Sequence, residues 1–443
     1  MSRNTRSAAR GMAALTVVMI LFFVMAMVAA YTNRNLIFEQ RISANNYRAN
    51  KALDAADAGI EWTVAMLNGG RVDTACRPST DVNNSDFRRR YLVDASDADP
   101  NGAGGYGLPD DAQRFPACIN RDGALSCICP SAATRIPNIG ALADGIGSAF
   151  SVSFIPTNRV VRPGAVQFAA RGCASPGTGG TACYAQSNDP PVVDALASAL
   201  STVGLVRALP LAPIAALTAG TTISAVNPGE LRVSNGDAST GLTVHAGNAV
   251  NAPTSSFAGP AGSGSDGKQP QDKAIRCLVD PVLEGGCAGN PQSNNWFPAM
   301  FGMPAATFQR QPAVIQVNCA NGCQLSDLTD VLVGYPRNPI WVNGNLDINT
   351  VADLGSNLNP LMLVVNGTLT VSANARITGF VHANGIAWSA AGATVQGAMV
   401  SSSTFTATSL ATLSYDRKVM DTIRLRYGSF VRVPGSWNMT NFF

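Results

Sequence analysis

Apolar and polar positions fall into distinct regimes along the chain. Residues 12–31 contain no charged side chain. Twenty such residues are long enough to cross a hydrocarbon core of about 30 Å as one helix. From Asn33 the pattern turns amphipathic, with Ile42, Asn46, Ala49, Leu53, Ala56, Ile60, Val64 and Leu67 recurring at steps of four and three. No proline interrupts it, and Gly69-Gly70 is the first stop. One continuous helix over 12–67 is predicted, roughly 84 Å long at 1.5 Å per residue. Beyond Gly70 the helical period is lost. Residues 148–156 and 165–175 read as two strands joined by a turn containing Pro163-Gly164, within a head region assigned to 71–212.

A second periodicity begins further on. NPIWVNGNLDIN starts at Asn338 and NPLMLVVNGTLTVSANARITG at Asn359, and aligning their Asn-Gly pairs gives Asn343, Asn366 and Asn384, spaced by 23 and then 18 residues. Two further tetrapeptides, Arg376-Ile377-Thr378-Gly379 and Thr394-Val395-Gln396-Gly397, also stand 18 apart. Short strands with Asn-Gly corners at this spacing predict a β-solenoid, in which each coil buries its apolar residues by stacking on the next. We assign 213–414 to it, with a partial early coil at 216–250 and a disulfide-pinned insertion at 251–330. Residues 415–427 form a helical pattern with Val419, Met420 and Ile423 on one side and Gly428 as its stop. It is expected to cap the last coil, within a C-terminal cap at 415–443. The fold class is therefore α+β: a long N-terminal helix on a small antiparallel sheet, then a β-solenoid with a C-terminal capping helix.

Composition agrees with a turn-rich β protein. Charged residues make up 13% of the 443 residues and aromatics 7%, with 42 glycines. A net charge of +3 gives no reason to expect a nucleic-acid partner across the whole surface. The ten cysteines include three local pairs around turns, Cys173 with Cys183, Cys277 with Cys287, and Cys319 with Cys323, which are candidate disulfides of an exported protein. Cys76, Cys118, Cys127 and Cys129 are left without assigned partners. With His245 and His382 as the only histidines and no paired C-x₂-C motifs, zinc is a poor alternative.

Other chemistry is thin. Gly262 to Gln269 matches a phosphate-loop pattern except at Gln269, where a hydroxyl should hold magnesium. Asp97, Asp99, Asn101 and Gly102 resemble the start of a calcium loop, but its twelfth position is Leu108 instead of a bidentate Glu. Between 331 and 414 only Asp347, Asp353, Arg337 and Arg376 carry charge among the candidate cleft residues, too few to build a hydrolytic centre. No enzyme, cofactor or metal is expected. Basic residues concentrate at Arg88-Arg89-Arg90 and at Arg417, Lys418, Arg424, Arg426 and Arg432. These either meet DNA phosphates or, more cheaply, form solvated faces and pairs with Asp416 and Asp421.

The N-terminus adds a resemblance. A basic leader with Arg3, Arg6 and Arg10 ends at Gly11, directly before the apolar helix, and FEQRISANNYRANKALDAADAGIE follows. This is similar to the type IV pilin class and, through E-x-R, A-N and A-x-x-A-A-[DE]-A-G, resembles the PilX-type minor pilins over residues 10–62. The resemblance implies a structural subunit of the pilus whose head sheet packs on the amphipathic half of the helix. It implies cleavage after Gly11 by prepilin peptidase and N-methylation of Met12. The subunit would sit in the inner membrane as a single-pass protein with its head in the periplasm, then in the pilus at the cell surface. Its partners would be the major pilin, other minor pilins, the inner-membrane assembly platform and a large tip adhesin. Thr16 departs from the class, which usually has Glu there to meet a neighbour's terminal amine. Either nothing sits above this subunit, as at a tip, or the acid has been lost in a rare subunit. The PGSW stretch near the end is similar to the ends of large PilX-like proteins. The implied function is tip-proximal priming of assembly and support of adhesion, twitching motility or surface attachment. The alternatives are a DNA-binding minor pilin for DNA uptake and a pseudopilin of a type II secretion system.

Overall fold

The computed structural model describes residues 9–92, 115–121, 123–131, 147–155, 164–174, 183, 195–227, 229–239, 242–253, 256–259, 296–319 and 321–439. Helix α1 runs unbroken from Ala9 to Asn68. Residues 14–50 are exposed on every side, and only the last five turns bury a face. That face consists of Ala52, Ala55, Ala56, Gly59, Ile60, Thr63 and Leu67, the i, i+3, i+4, i+7 spacing of a straight helix. The expected stripe is corrected in part: Ala56, Ile60 and Leu67 are buried, Leu53 and Val64 are half-buried, and Ile42, Asn46 and Ala49 are exposed. Ile42, Asn46 and Ala49 are exposed because nothing packs on the helix before Lys51, and Leu53 and Val64 sit at the margin of the buried face.

Small residues fill the contact because α1 lies almost on the backbone of the sheet. The sheet is antiparallel, in the order β2 (Ala124–Ile128), β1 (Ala117–Arg121), β3 (Ser148–Ile155), β4 (Ala165–Ala174), β5 (Ala195–Arg207). A Cβ placed on Gly172 of β4 would stand 2.1 Å from the Ala52 carbonyl oxygen and 2.2 Å from the Ala56 nitrogen. One on Gly59 would meet Ala170 and Phe150 at 3.0 Å. The A-x-x-A-A-D-A-G run is thus the helix side of a close helix–sheet contact. Around it pack Trp62, Phe87, Tyr91, Phe150, Phe154 and Phe168. Cys76–Cys129 and Cys118–Cys127 staple the same head, the second across a directly opposed β1–β2 pair. Cys173–Cys183 and Cys319–Cys323 are also bonded, whereas Cys277 and Cys287 lie outside the described residues.

The far edge of this sheet is closed from the other end of the chain. Strand Gly428–Arg432 pairs antiparallel with β5, and Asn438–Met439 adds a short second pairing. The head therefore is not confined to 71–212, and 428–439 is not a cap. β5 would otherwise leave a row of unpaired backbone groups, and Phe430 would not reach the core beneath α1, where it is fully buried.

The remaining strands run parallel to one another. One row pairs Val317, Val342, Val365, Ala383, Ser401, Ala219 and Ala246 in succession. Asn343 stands opposite Asn366, and Asn384 donates to the Asn366 side chain at 3.4 Å. Gly379 and Gly397 form a column with φ of 154° and 132°, and a Cβ on either would meet a carbonyl oxygen of the preceding rung at 2.0 Å.

The order of the rungs differs from the expected one. The early strands stack beyond the last ones, with Leu217 against Met399, Ile223 against Phe405 and Leu231 against Ala411. Helix Arg417–Arg426 lies along strands Arg376–Trp388 and Thr394–Ser401 instead of capping an end. The last coil's exposed edge is already covered by residues 215–235, so no cap is needed there.

The expected insertion at 251–330 is corrected as well. Of it, 254–255, 260–295 and 320 lie outside the described residues, but Met300, Phe301, Phe308, Val314, Val317, Leu325 and Leu328 belong to the core. Phe301 and Phe308 are fully buried, and Phe297 and Phe301 stack at 4.0 Å over the row containing Trp341 and His382. His382 is 2% exposed; its Nε2 is 3.0 Å from Ser402 Oγ, and its Nδ1 has no partner. Burial depresses its pKa to about 3 from an ordinary 6.5. Because the folded value lies below the unfolded one, stability is complete above pH 6.5 and falls as pH drops toward 3, by roughly 1.4 kcal/mol at pH 5.5. His382→Leu should flatten this slope, as measured by urea unfolding of the full chain in detergent at pH 7.5 and 5.5.

Candidate assembly site

Two parts of α1 have different surroundings. The segment from Ala14 is apolar and long enough to cross a membrane, with a mean hydropathy of 2.5 over its best window and no burial inside the protein. Gly11 and Met12 lie inside the helix, which begins before them at Ala9. Thr16 is exposed on the apolar segment. The first charge after the run is Arg34, whose guanidinium lies 5.6 Å over the Phe38 ring.

At its other end the helix is locked. The last carbonyls of a helix have no partner within it, and here side chains from distant segments supply the donors. Arg88, on the short helix α2 (Phe87–Tyr91), donates to the Leu67 carbonyl, to Asn68 Oδ1 at 3.3 Å and to the Gly428 carbonyl at 2.7 Å. Its guanidinium also lies 4.9 Å over the Phe430 ring. Asn68 exchanges two bonds with the Phe430 backbone at 2.8 and 2.9 Å. Asn338 donates to the Asn68 carbonyl at 2.9 Å and to the Ala313 carbonyl at 2.8 Å. A cation at this end also complements the helix dipole. Three side chains thus join α1, the antiparallel head and the parallel-strand region. At Gly70 there is no room for a Cβ, because the Gly334 carbonyl and the Tyr335 ring close in.

The basic clusters look different once placed. Arg88 and Arg90 are buried, Arg90 donating to the Asp73, Cys129 and Val72 carbonyls, so neither reaches a phosphate. Arg417 pairs with Asp237 and Asp421 at 3.5 Å, Arg424 with Asp421 at 3.1 Å, and Arg432 with Glu61. Asp416 caps its helix by accepting from the Lys418 and Val419 backbone. The phosphate-loop and calcium-loop segments lie outside the described residues. Sequence reasoning missed the Asn68–Arg88–Asn338 junction; an Asn directly before Gly-Gly at a helix end was the available signal.

α1 is thus an apolar helix, bare for its first half and sealed to an antiparallel sheet by its second. Residues 10–61 match the family described as PilX N-terminal, which supports a type IV minor pilin of PilX type. The crystal structure of the competence-associated pilin ComZ from Thermus thermophilus overlaps 89% of this chain and 98% of its own, at 11% identity and a TM-score of 0.21. A TM-score that low bears no weight on fold or function. No curated protein matches the chain.

Proposed function

We propose that this chain is a minor pilin incorporated at or near the tip of a type IV pilus, where it primes assembly and supports adhesion, twitching motility or surface attachment. The observation that carries this reading is the bare apolar half of α1, continuous with a half locked into the head. Exposed apolar surface on that scale needs lipid or other helices to cover it. The same helix serves both in turn, first as a membrane anchor and then as part of a filament core.

In this reading the leader is removed after Gly11 and Met12 becomes the methylated first residue. The arginines before the apolar run keep the leader cytoplasmic and place the head in the periplasm. Prepilin peptidase and the assembly platform are then obligatory partners. Thr16 supports a place at the tip, since it offers no carboxylate to the amine of a subunit above. The parallel rungs, each advancing by about one coil, support reading that region as a β-solenoid displayed beyond the filament. Intact-mass and N-terminal analysis of the chain from sheared pili should give a start at methylated Met12. A mature chain retaining Ser2 would defeat the assignment, and labelling along shafts instead of ends would defeat the tip position.

A further inference from the structure

Beyond the apolar run, the arginines and the acids of α1 take opposite faces, with Glu39 on the acidic side and Lys51 between the two. Arg34, Arg41 and Arg48 stand seven residues apart, a spacing that drifts by only about 20° per step and so keeps them in one line. All three are exposed. Asp54, Asp57 and Glu61 follow on the head-proximal part, exposed on the side away from the sheet. Asp54 and Glu61 are also seven apart. At 3.6 residues per turn, the step from Arg41 to Asp54, and equally from Arg48 to Glu61, rotates by roughly 220°, so the acidic line lies on the opposite side of the helix.

The acids are costly where they stand. Asp54 with Asp57, and Asp57 with Glu61, are like charges at i, i+3 and i, i+4, which weakens a helix. Within the chain, Lys51 stands three residues before Asp54 and offsets part of this, and Glu61 is relieved by Arg432. The matching spacing of the two lines makes them complementary between parallel helices: sliding one copy by thirteen residues, about 20 Å, sets Arg41 beside Asp54 and Arg48 beside Glu61.

Anionic lipid headgroups fit the stripe less well. They occupy only about 5–8 Å on each side of the hydrocarbon core, whereas the line from Arg34 to Arg48 extends for about 21 Å along the helix. Arg41 and Arg48 therefore lie outside that layer in an upright helix.

We propose that Arg34, Arg41 and Arg48 form a docking stripe for the head-proximal helix of a neighbouring pilin subunit carrying carboxylates seven residues apart on its outer side, as Asp54 and Glu61 are here. The inference rests on the filament reading above and adds to it the face, the register and the chemistry of the partner. At the tip, this contact would be made to a subunit below.

The test compares wild type, the double reversal Arg41→Glu with Arg48→Glu, and the conservative Arg41→Lys with Arg48→Lys, in cells assembling pili. Three quantities are read: the chain in sheared pili, the chain in the membrane, and its N-terminal residue. The reversal should lower the pilus fraction at least tenfold while membrane level and the Met12 start stay unchanged, and the lysine variant should incorporate normally. A photo-crosslinking residue at position 41 should capture the head-proximal third of a neighbouring pilin helix. Normal incorporation of the reversal variant, or crosslinks to an apolar segment, would overturn the proposal. So would an equal loss from the membrane, which assigns the stripe to lipid. Absence of the wild-type chain from pili would instead defeat the filament reading.

Discussion

Replacing Arg88 by methionine is expected to destabilise the full chain in detergent by about 4 kcal/mol or more. The side chain is 2% exposed and donates to two carbonyls and an amide oxygen at the point where α1 ends. Methionine fills much of the volume but donates nothing. The carbonyls of Leu67 and Gly428 would lose this donor in the interior, at roughly 1–3 kcal/mol each. The stacking over Phe430 is lost as well, at about 0.5–2 kcal/mol. Arg88→Lys should recover only part, since one ammonium cannot reproduce the planar fork. Urea unfolding followed by far-UV circular dichroism measures the loss. A midpoint unchanged from wild type would mean that the junction is not a source of stability.

Gly172→Val should be nearly as damaging through steric conflict. The atoms in the way are the Ala52 carbonyl oxygen and the Ala56 nitrogen, backbone groups of a helix that cannot rotate aside as a side chain would. Relief requires α1 to lift from β4, opening the layer where Ala56, Ile60, Phe150 and Phe168 meet. Overpacking costs about 1–3 kcal/mol where neighbours yield, and here the neighbour is a helix backbone, so about 3 kcal/mol or more is expected. Gly59→Ala, whose nearest contacts are side chains at 3.0 Å, should cost less. Hydrogen exchange of residues 52–68 distinguishes a lifted helix from a globally weakened head: amides there should exchange faster in Gly172→Val.

The parts of this architecture that were legible in the sequence are those written in local period. A twenty-residue apolar run, the lack of proline through Gly70 and the alternating strands at 148 and 165 need no tertiary information. The Asn-Gly spacing led to the pairing of Asn343 with Asn366 for the same reason: equivalent corners of stacked rungs must repeat. Rung order is another matter, because periodicity shows that rungs stack but not which neighbours which. Nothing in the 216–250 segment marks it as lying beyond residue 401. Arg88 and Arg90 were misread because a triple arginine has the composition of a surface; only the fold brings orphaned carbonyls to them. The Phe297, Phe301 and Phe308 cluster was hidden behind the Gly- and Pro-rich stretch that precedes it, although its aromatic density pointed to a core.

The retrograde stacking has a consequence for how the molecule is made. Thr221 donates both its N–H and its hydroxyl to the Ser403 carbonyl, across a sequence separation of 182. The strands Ala215–Ala219, Thr222–Ala225 and Leu231–Asn235 must therefore wait for these partners until nearly the whole chain has been made. Closing so long a loop slows folding and leaves a window in which proteases and chaperones compete for the nascent strands. A stacked array is ordinarily tolerant of losing its last repeat. Here that repeat lies between neighbours from both halves of the chain, so a premature stop before residue 400 would remove the middle of the stack and leave its two halves with nothing to join them.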